Sequence, residues 1–111
     1  MAQSHYVFIE SRDPFDSADT GFVADTATVL RQRGRPVTVF LVQNGVLATR
    51  VGARASHVPR LTGAGVTVLA DEFSLSERGI ETAELEAGVR ACRIDALVDL
   101  LVQPGTKAVW H

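Results

Sequence analysis

The pattern of apolar positions switches several times between short continuous runs and helical spacing. Runs at residues 6–9, 37–42, 66–69 and 108–110 predict strands, and residues 88–89 predict a further, very short one. Helical spacing lies between them, so the predicted order is β-α-β-α-β-(short α)-β-α-β. Such alternation is typical of an α/β domain with a mostly parallel sheet.

The first predicted helix has an apolar stripe at Val23, Ala27 and Leu30, which are spaced i, i+4, i+7. Asp16 or Ser17 is positioned to cap its start. Of the later regions, 47–61 is interrupted by glycine and proline, and 74–78 is short. Ile94–Leu101 gives the clearest helical pattern in the chain, with apolar residues at i, i+3, i+4 and i+7.

Five strands joined by right-handed crossovers predict a three-layer sandwich around one sheet. In sheets of this kind, ligands bind beyond the carboxyl ends of the strands, near the point where the strand order reverses. The loops expected at that edge are 10–13, 43–45, 71–74 and 90–93.

Length and composition narrow the class of protein. The 111 residues fit a single domain spanning 1–111, and a net charge of −2 without a basic patch argues against nucleic-acid binding. A single cysteine rules out an intrachain disulfide and favours a reducing compartment. Without a signal peptide pattern or a membrane-length apolar run, we expect a soluble, cytoplasmic protein with no membrane partner.

Three segments together carry a resemblance to a known family. The first strand leads into Ser11-Arg12-Asp13-Pro14, the second ends in Gln43-Asn44-Gly45-Val46, and Arg78-Gly79 follows the third. Over His5 to Trp110 the chain resembles the DsrE/DsrF-like (YchN-like) family of small sulfur-relay proteins, which includes TusC and TusD. The resemblance implies a DsrE/YchN-like α/β fold, assembly into trimers or hexamers, and sulfur-relay proteins as partners.

The resemblance also points to a carrier position. Active members carry a persulfide on a cysteine just after the third strand, eight residues before the glycine of the Arg-Gly pair. Counting back eight residues from Gly79 reaches Asp71. A carboxylate cannot form a persulfide, so the usual carrier cysteine is expected to be missing.

Cys92 is the only thiol in the chain. Its place between Arg90 and Arg93, just before the Ile94–Leu101 helix, would lower a thiol pKa and favour a nucleophilic thiolate. It is therefore the candidate catalytic residue, as a relocated sulfur acceptor. A small apolar residue that fills the core explains the same position without chemistry.

Asp71 and Glu72 form an acidic pair at the end of the third strand. They suit cation binding or acid–base chemistry, and a receiver domain also has an aspartate after its third strand. A solvated carboxylate, or one that caps the following helix, is the simpler explanation of the same pair.

The other candidate cleft residues are Ser11, Arg12, Asp13, Asn44 and Gly45. Arg12 suits a small anion, although a turn at Asp13-Pro14 accounts for the same loop. Asn44-Gly45 fits a tight turn and also a close approach of backbone to a ligand. No metal is predicted, because one cysteine and three scattered histidines lack ligand spacing. No cofactor is predicted either.

Three hypotheses stand at this stage. The first is a DsrE-like protein that lacks the carrier cysteine and serves as an oligomeric binding or partner subunit, with a cleft formed by Ser11, Asp13, Asn44 and Asp71. The second is an active sulfur carrier or sulfurtransferase that uses Cys92. The third is a flavodoxin-like binder of a small molecule. The sequence leaves open whether the chain is an enzyme.

Overall fold

The computed structural model describes residues 4–111 and contains one five-stranded sheet. The strands lie in the order β4-β3-β2-β1-β5, and every neighbouring pair is parallel. This confirms the predicted α/β fold with a parallel five-stranded sheet. The strands are β1 (His5–Glu10), β2 (Val37–Leu41), β3 (Thr67–Asp71), β4 (Val89–Cys92) and β5 (Thr106–Trp110).

Helices cover both faces of the sheet, but unequally. From β1 to β4 the chain advances in one direction, and β5 then returns to the far side of β1. Right-handed crossovers therefore place the first three helices on one face and the fourth on the other. The helices are α1 (Thr20–Gln32), α2 (Val58–Gly63), α3 (Glu72–Glu77) and α4 (Ile94–Leu101), with 3₁₀ helices at Gln43–Thr49 and Thr82–Glu84.

Two apolar cores follow from the alternation of side chains along the strands. Phe8 and Val39 pack with α1, α2 and α3 on one face of the sheet. Val7, Ile9 and Phe40 point to the opposite face, where they pack against Leu97 of α4. β2 is buried on both sides along its whole length, which explains its continuous apolar sequence.

The start of α1 differs from the prediction. Asp16 and Ser17 are not its N-cap, because their amides donate to the carbonyl oxygen of Asp13 and so belong to a preceding turn. The helix begins at Thr20 with Asp19 as its N-cap residue. Its end agrees with the prediction, since Gly34 adopts a φ of 82° that stops helical propagation.

Two further regions also need correction. The predicted helical region 47–61 consists of a 3₁₀ helix and α2, because the intervening loop takes positive φ at Gly52 (76°) and Ala55 (59°). Residues 90–93, expected as a loop, mostly form β4, which pairs with β3 from Val89 to Cys92. Within residues 4–111, no helix is both long and apolar enough to cross a membrane.

Gly45 sits where two strand ends come together. Its backbone lies against the carbonyl oxygen of Glu10, so a Cβ at this position would overlap that oxygen. Glu10 ends β1, and the same carbonyl accepts a hydrogen bond from the amide of Val42 (3.0 Å). The close approach therefore fixes the path of the chain from β2 into the first 3₁₀ helix.

We expect Gly45→Ala to lower the free energy of unfolding by about 2 kcal/mol, because backbone must shift to accept the methyl group. Gly21→Ala is the matched control: a Cβ at Gly21 meets nothing within 4 Å, so stability should hold or rise slightly. Urea unfolding measures both. Equal stability of the two variants would contradict the steric role of Gly45.

Candidate functional site

The carboxyl ends of β1 and β5 bring Glu10 and His111 together at the point where strand order reverses. The Glu10 side chain is only 5% exposed, and both of its carboxylate oxygens lie 2.9 Å from Nδ1 of His111. The opposite ring nitrogen, Nε2, lies 3.2 Å from Oδ2 of Asp19. An ionised carboxylate can only accept, so a carboxylate at each ring nitrogen favours the doubly protonated imidazolium form of His111.

This setting raises the pKa of His111 above its ordinary value of 6.5. The hydrogen bond to Glu10 is the main cause, and the charges of Glu10 and Asp19 add to it. Partial burial of the ring acts in the opposite direction. His111 therefore holds its proton more tightly in the folded chain than in the unfolded one.

Two of the predicted site residues belong to this cluster. Ser11 donates from its amide and its hydroxyl to the backbone oxygen of His111, each at 2.9 Å. Arg12 pairs with Asp19 at 3.4 Å, an exposed contact. Arg12 thus already has a carboxylate partner, and Ser11 anchors the residue that follows β5.

Asp71 is buried at the junction of β3 and α3, where it is the N-cap residue. Its Oδ2 accepts from the amide of Ser74 at 3.0 Å and from the Ser74 hydroxyl at 2.7 Å. The Ser74 oxygen in turn accepts from the amide of Gln43 at 2.8 Å. The contacts of Asp71 are therefore those of a helix-capping residue. Glu72 beside it is exposed in the first turn of α3.

Asn44 is held by the Arg78 side chain. Its Oδ1 accepts from Nε and Nη2 of Arg78 at 3.1 and 3.0 Å, and Arg78 also donates to the carbonyl oxygen of Ser74. Gln43 just before it has a φ of 51°, which is unusual for a residue with a side chain. Residues 43–46 and the Arg78-Gly79 pair, two of the three segments that carry the family resemblance, are thus in direct contact.

Cys92 ends β4 and is a free, partly buried thiol. Its Cα pairs with that of Asp71 across β3 and β4, so the two side chains point to the same face of the sheet. Cys92 packs against the core beneath α4, and Arg93 after it is the N-cap residue of that helix. The thiol thus lies one strand away from the predicted carrier position.

The predicted cleft residues fall into separate places along the carboxyl edge. Asp13 lines an open cleft of about 780 Å³ with residues of both 3₁₀ helices. Asp71 lines a groove of about 430 Å³ between α3, α4 and the end of β5. Gly45 lies between these regions, against Glu10.

Sequence analysis did not identify the ring of His111 as a partner of Glu10. Both residues stand at strand ends that meet only because β5 returns beside β1. Ser74 and Arg78 were likewise missed as partners of the predicted residues. Among residues 4–111, no three His, Cys, Asp or Glu side chains gather closely enough to hold a metal ion.

The contact between His111 and Glu10 makes stability depend on pH. A raised pKa means that the stabilisation is complete below the unfolded pKa of about 6.5 and disappears as the pH rises through the higher folded pKa. We therefore expect the free energy of unfolding to fall over this range in the wild type, and to fall less in His111→Gln. Urea unfolding across the pH series measures this.

His5→Gln serves as the control, because His5 meets a Thr38 hydroxyl (2.9 Å) and, within residues 4–111, no carboxylate. This variant should keep the wild-type pH dependence. If the free energy of unfolding changed with pH equally in wild type and in His111→Gln, the contact with Glu10 would contribute nothing to the pH dependence.

Solved structures with a closely similar fold include three bacterial and archaeal proteins. The YchN protein from E. coli superposes with a TM-score of 0.85 at 19% identity, over 99% of this chain and all of that one. A protein of unknown function from Methanobacterium thermoautotrophicum gives 0.80 at 18% identity, over 99% of this chain and 100% of that chain. One from Bacteroides thetaiotaomicron gives 0.77 at 14% identity, over 97% and 95%.

No family model matches the sequence, and no curated protein matches it. Similarity at these identities concerns the fold, and it extends over almost the whole chain. The chain therefore has the YchN-like α/β fold that its sequence motifs predicted.

Proposed function

We propose that this protein is an oligomeric binding or partner subunit of a sulfur-relay type system and does not carry sulfur at the usual position. The observation behind the proposal is Asp71. Its carboxylate stands where the resemblance puts the carrier cysteine, and Ser74 holds it with two hydrogen bonds. A group that cannot form a persulfide is thus built into the strand–helix junction.

The exposed surface of α4 supports assembly into an oligomer. Ile94, Val98 and Val102 follow each other at helical spacing and are 48%, 51% and 73% exposed. Phe73 and Trp110 are exposed nearby and line one groove together with Ile94. We call these five residues the α4 surface. A contiguous apolar surface of this kind is typical of a protein interface, and aromatic residues are enriched there.

The resemblance implies a trimer or hexamer, and we expect the wild type to form one. Val98→Glu should shift the assembly to species of lower mass, because a carboxylate would be buried unpaired in the interface. Native mass spectrometry measures the assembly. Circular dichroism checks the fold, which an exposed substitution should leave nearly unchanged.

Phe22→Glu is the matched control for this experiment. Phe22 is 60% exposed on α1, on the opposite face of the sheet, so the same charge there should leave the assembly intact. A monomeric wild type, or equal dissociation of both variants, would contradict an interface at the α4 surface.

Sulfur loading tests the other half of the proposal. After incubation with a cysteine desulfurase and cysteine, we expect the intact mass of the wild type to stay unchanged. The Asp71→Ala variant should behave identically, because no sulfur is carried at that position. A gain of one sulfur atom in the wild type that is absent from Cys92→Ser would overturn the proposal.

That contrary result would establish the second candidate, a sulfur carrier that uses Cys92. The observation in its favour is the pairing of Cys92 with Asp71 on one face of the sheet, next to the start of α4. In that reaction the Cys92 thiolate attacks the outer sulfur of the desulfurase persulfide. A new S–S bond forms on Cys92, the donor S–S bond breaks, and the desulfurase cysteine leaves as a thiolate.

A further inference from the structure

An open cleft at the loop after β1 and the two 3₁₀ helices lies away from both Asp71 and Cys92. Its volume is about 780 Å³, within the range of small-molecule sites. Asp13 and Phe15 come from the loop after β1, Arg50 and Arg54 from the segment after the first 3₁₀ helix, and Glu84 from the second 3₁₀ helix. These segments follow β1, β2 and α3, so the cleft opens near the carboxyl edge, where sheets of this kind bind ligands.

Backbone contacts hold the two 3₁₀ helices together along the floor of this cleft. Arg50 and Leu85 form an isolated antiparallel bridge, and the amide of Val51 donates to the carbonyl oxygen of Glu84 at 2.8 Å. Residues far apart in the sequence are thus fixed against each other, and the arginines extend from an anchored segment.

The two arginines have no carboxylate partner among the described residues. Arg50 donates from Nε to the carbonyl oxygen of Leu47 at 3.0 Å, which orients its side chain and leaves both terminal amino groups without a partner in residues 4–111. Arg54 is exposed and makes no hydrogen bond or ion pair with that part of the chain. An unpaired guanidinium offers a planar set of donors that suits a carboxylate.

The two carboxylates that line the cleft accept hydrogen bonds from backbone amides. Asp13 accepts from the amide of Phe15 at 3.1 Å, and Glu84 accepts from the amide of Glu81 at 2.9 Å. They stabilise local turns, and within residues 4–111 they form no ion pair with the arginines. Their negative charges nevertheless oppose a ligand with several anionic groups, so a single carboxylate is the better match.

Apolar side chains complete the site. Phe15 is 62% exposed and Val51 is 66% exposed, and both line the same cleft beside the arginines. An aromatic ring next to an unpaired guanidinium recognises a molecule that has an apolar part as well as a charge.

We propose that this cleft binds a small organic monocarboxylate through Arg50 and Arg54, with the apolar part of the ligand against Phe15 and Val51. This site is independent of the proposed sulfur-relay role. Three features define the ligand class. The unpaired guanidinium groups suit a carboxylate, the carboxylates of the cleft disfavour a second negative charge on the ligand, and Phe15 and Val51 suit an apolar group.

Titration with phenylacetate, followed by two-dimensional amide NMR, tests the proposal on the full chain. We expect saturable shifts clustered at Phe15 and 50–54. Phenylacetamide has the same shape without the charge, and it should bind at least about tenfold more weakly, as expected for the loss of charge-assisted hydrogen bonds. Acetate should also bind more weakly, because it lacks the apolar part.

Arg54→Gln should weaken phenylacetate binding roughly tenfold, while Arg33→Gln should leave it unchanged. Arg33 is an exposed arginine at the end of α1, outside the cleft. The absence of saturable shifts at millimolar phenylacetate would overturn the proposal. Equal binding of phenylacetamide, or an equal loss in Arg33→Gln, would overturn it as well. Native mass spectrometry of the same samples reports the assembly separately, so failure here is distinguishable from failure of the proposed oligomer.

Discussion

The return of β5 to the far side of β1 is the constraint on which the rest of the structure depends. It makes β1 an interior strand and places Glu10 beside His111 at the carboxyl edge. With right-handed crossovers it also sends α4 alone to one face of the sheet. The contact between Glu10 and His111 and the sparsely covered face therefore have the same topological origin.

The unequal distribution of helices explains an apparent conflict in α4. Its sequence has the clearest amphipathic pattern of the chain, yet only Leu97 of this helix is fully buried. One short helix cannot both cover its half of the sheet and hide its own apolar residues, so Ile94 and Val98 stay exposed. On the other face, α1, α2 and α3 share one core. A partner on the α4 surface would remove this imbalance, which is why assembly forms part of the proposed function.

The sequence was informative where local pattern and burial agree. β2 is an example, since its continuous apolar run reflects burial on both faces of a central strand. The Gly34 stop of α1 was also readable, because a positive φ at that position is a local property. By contrast, the 101-residue separation of Glu10 and His111 carries no local signal. The loop between the first 3₁₀ helix and α2 was harder to predict, because Gly52 indicated an irregularity whereas the positive φ of Ala55 (59°) is unusual for a residue with a side chain.

The candidate site shows the same division. Asp71 could be located at a strand–helix junction from sequence, and capping was one of its two interpretations. Its burial and its two bonds to Ser74 required the tertiary structure, because Ser74 also binds the amide of Gln43 from a different crossover. A carboxylate cannot form an S–S bond, whereas a thiol can once it is deprotonated. Asp71 therefore supplies a helix cap at the start of α3 and has no capacity to form an S–S bond. Under the proposed function, a partner would bind the surface of this fold, and no sulfur would be carried at Asp71.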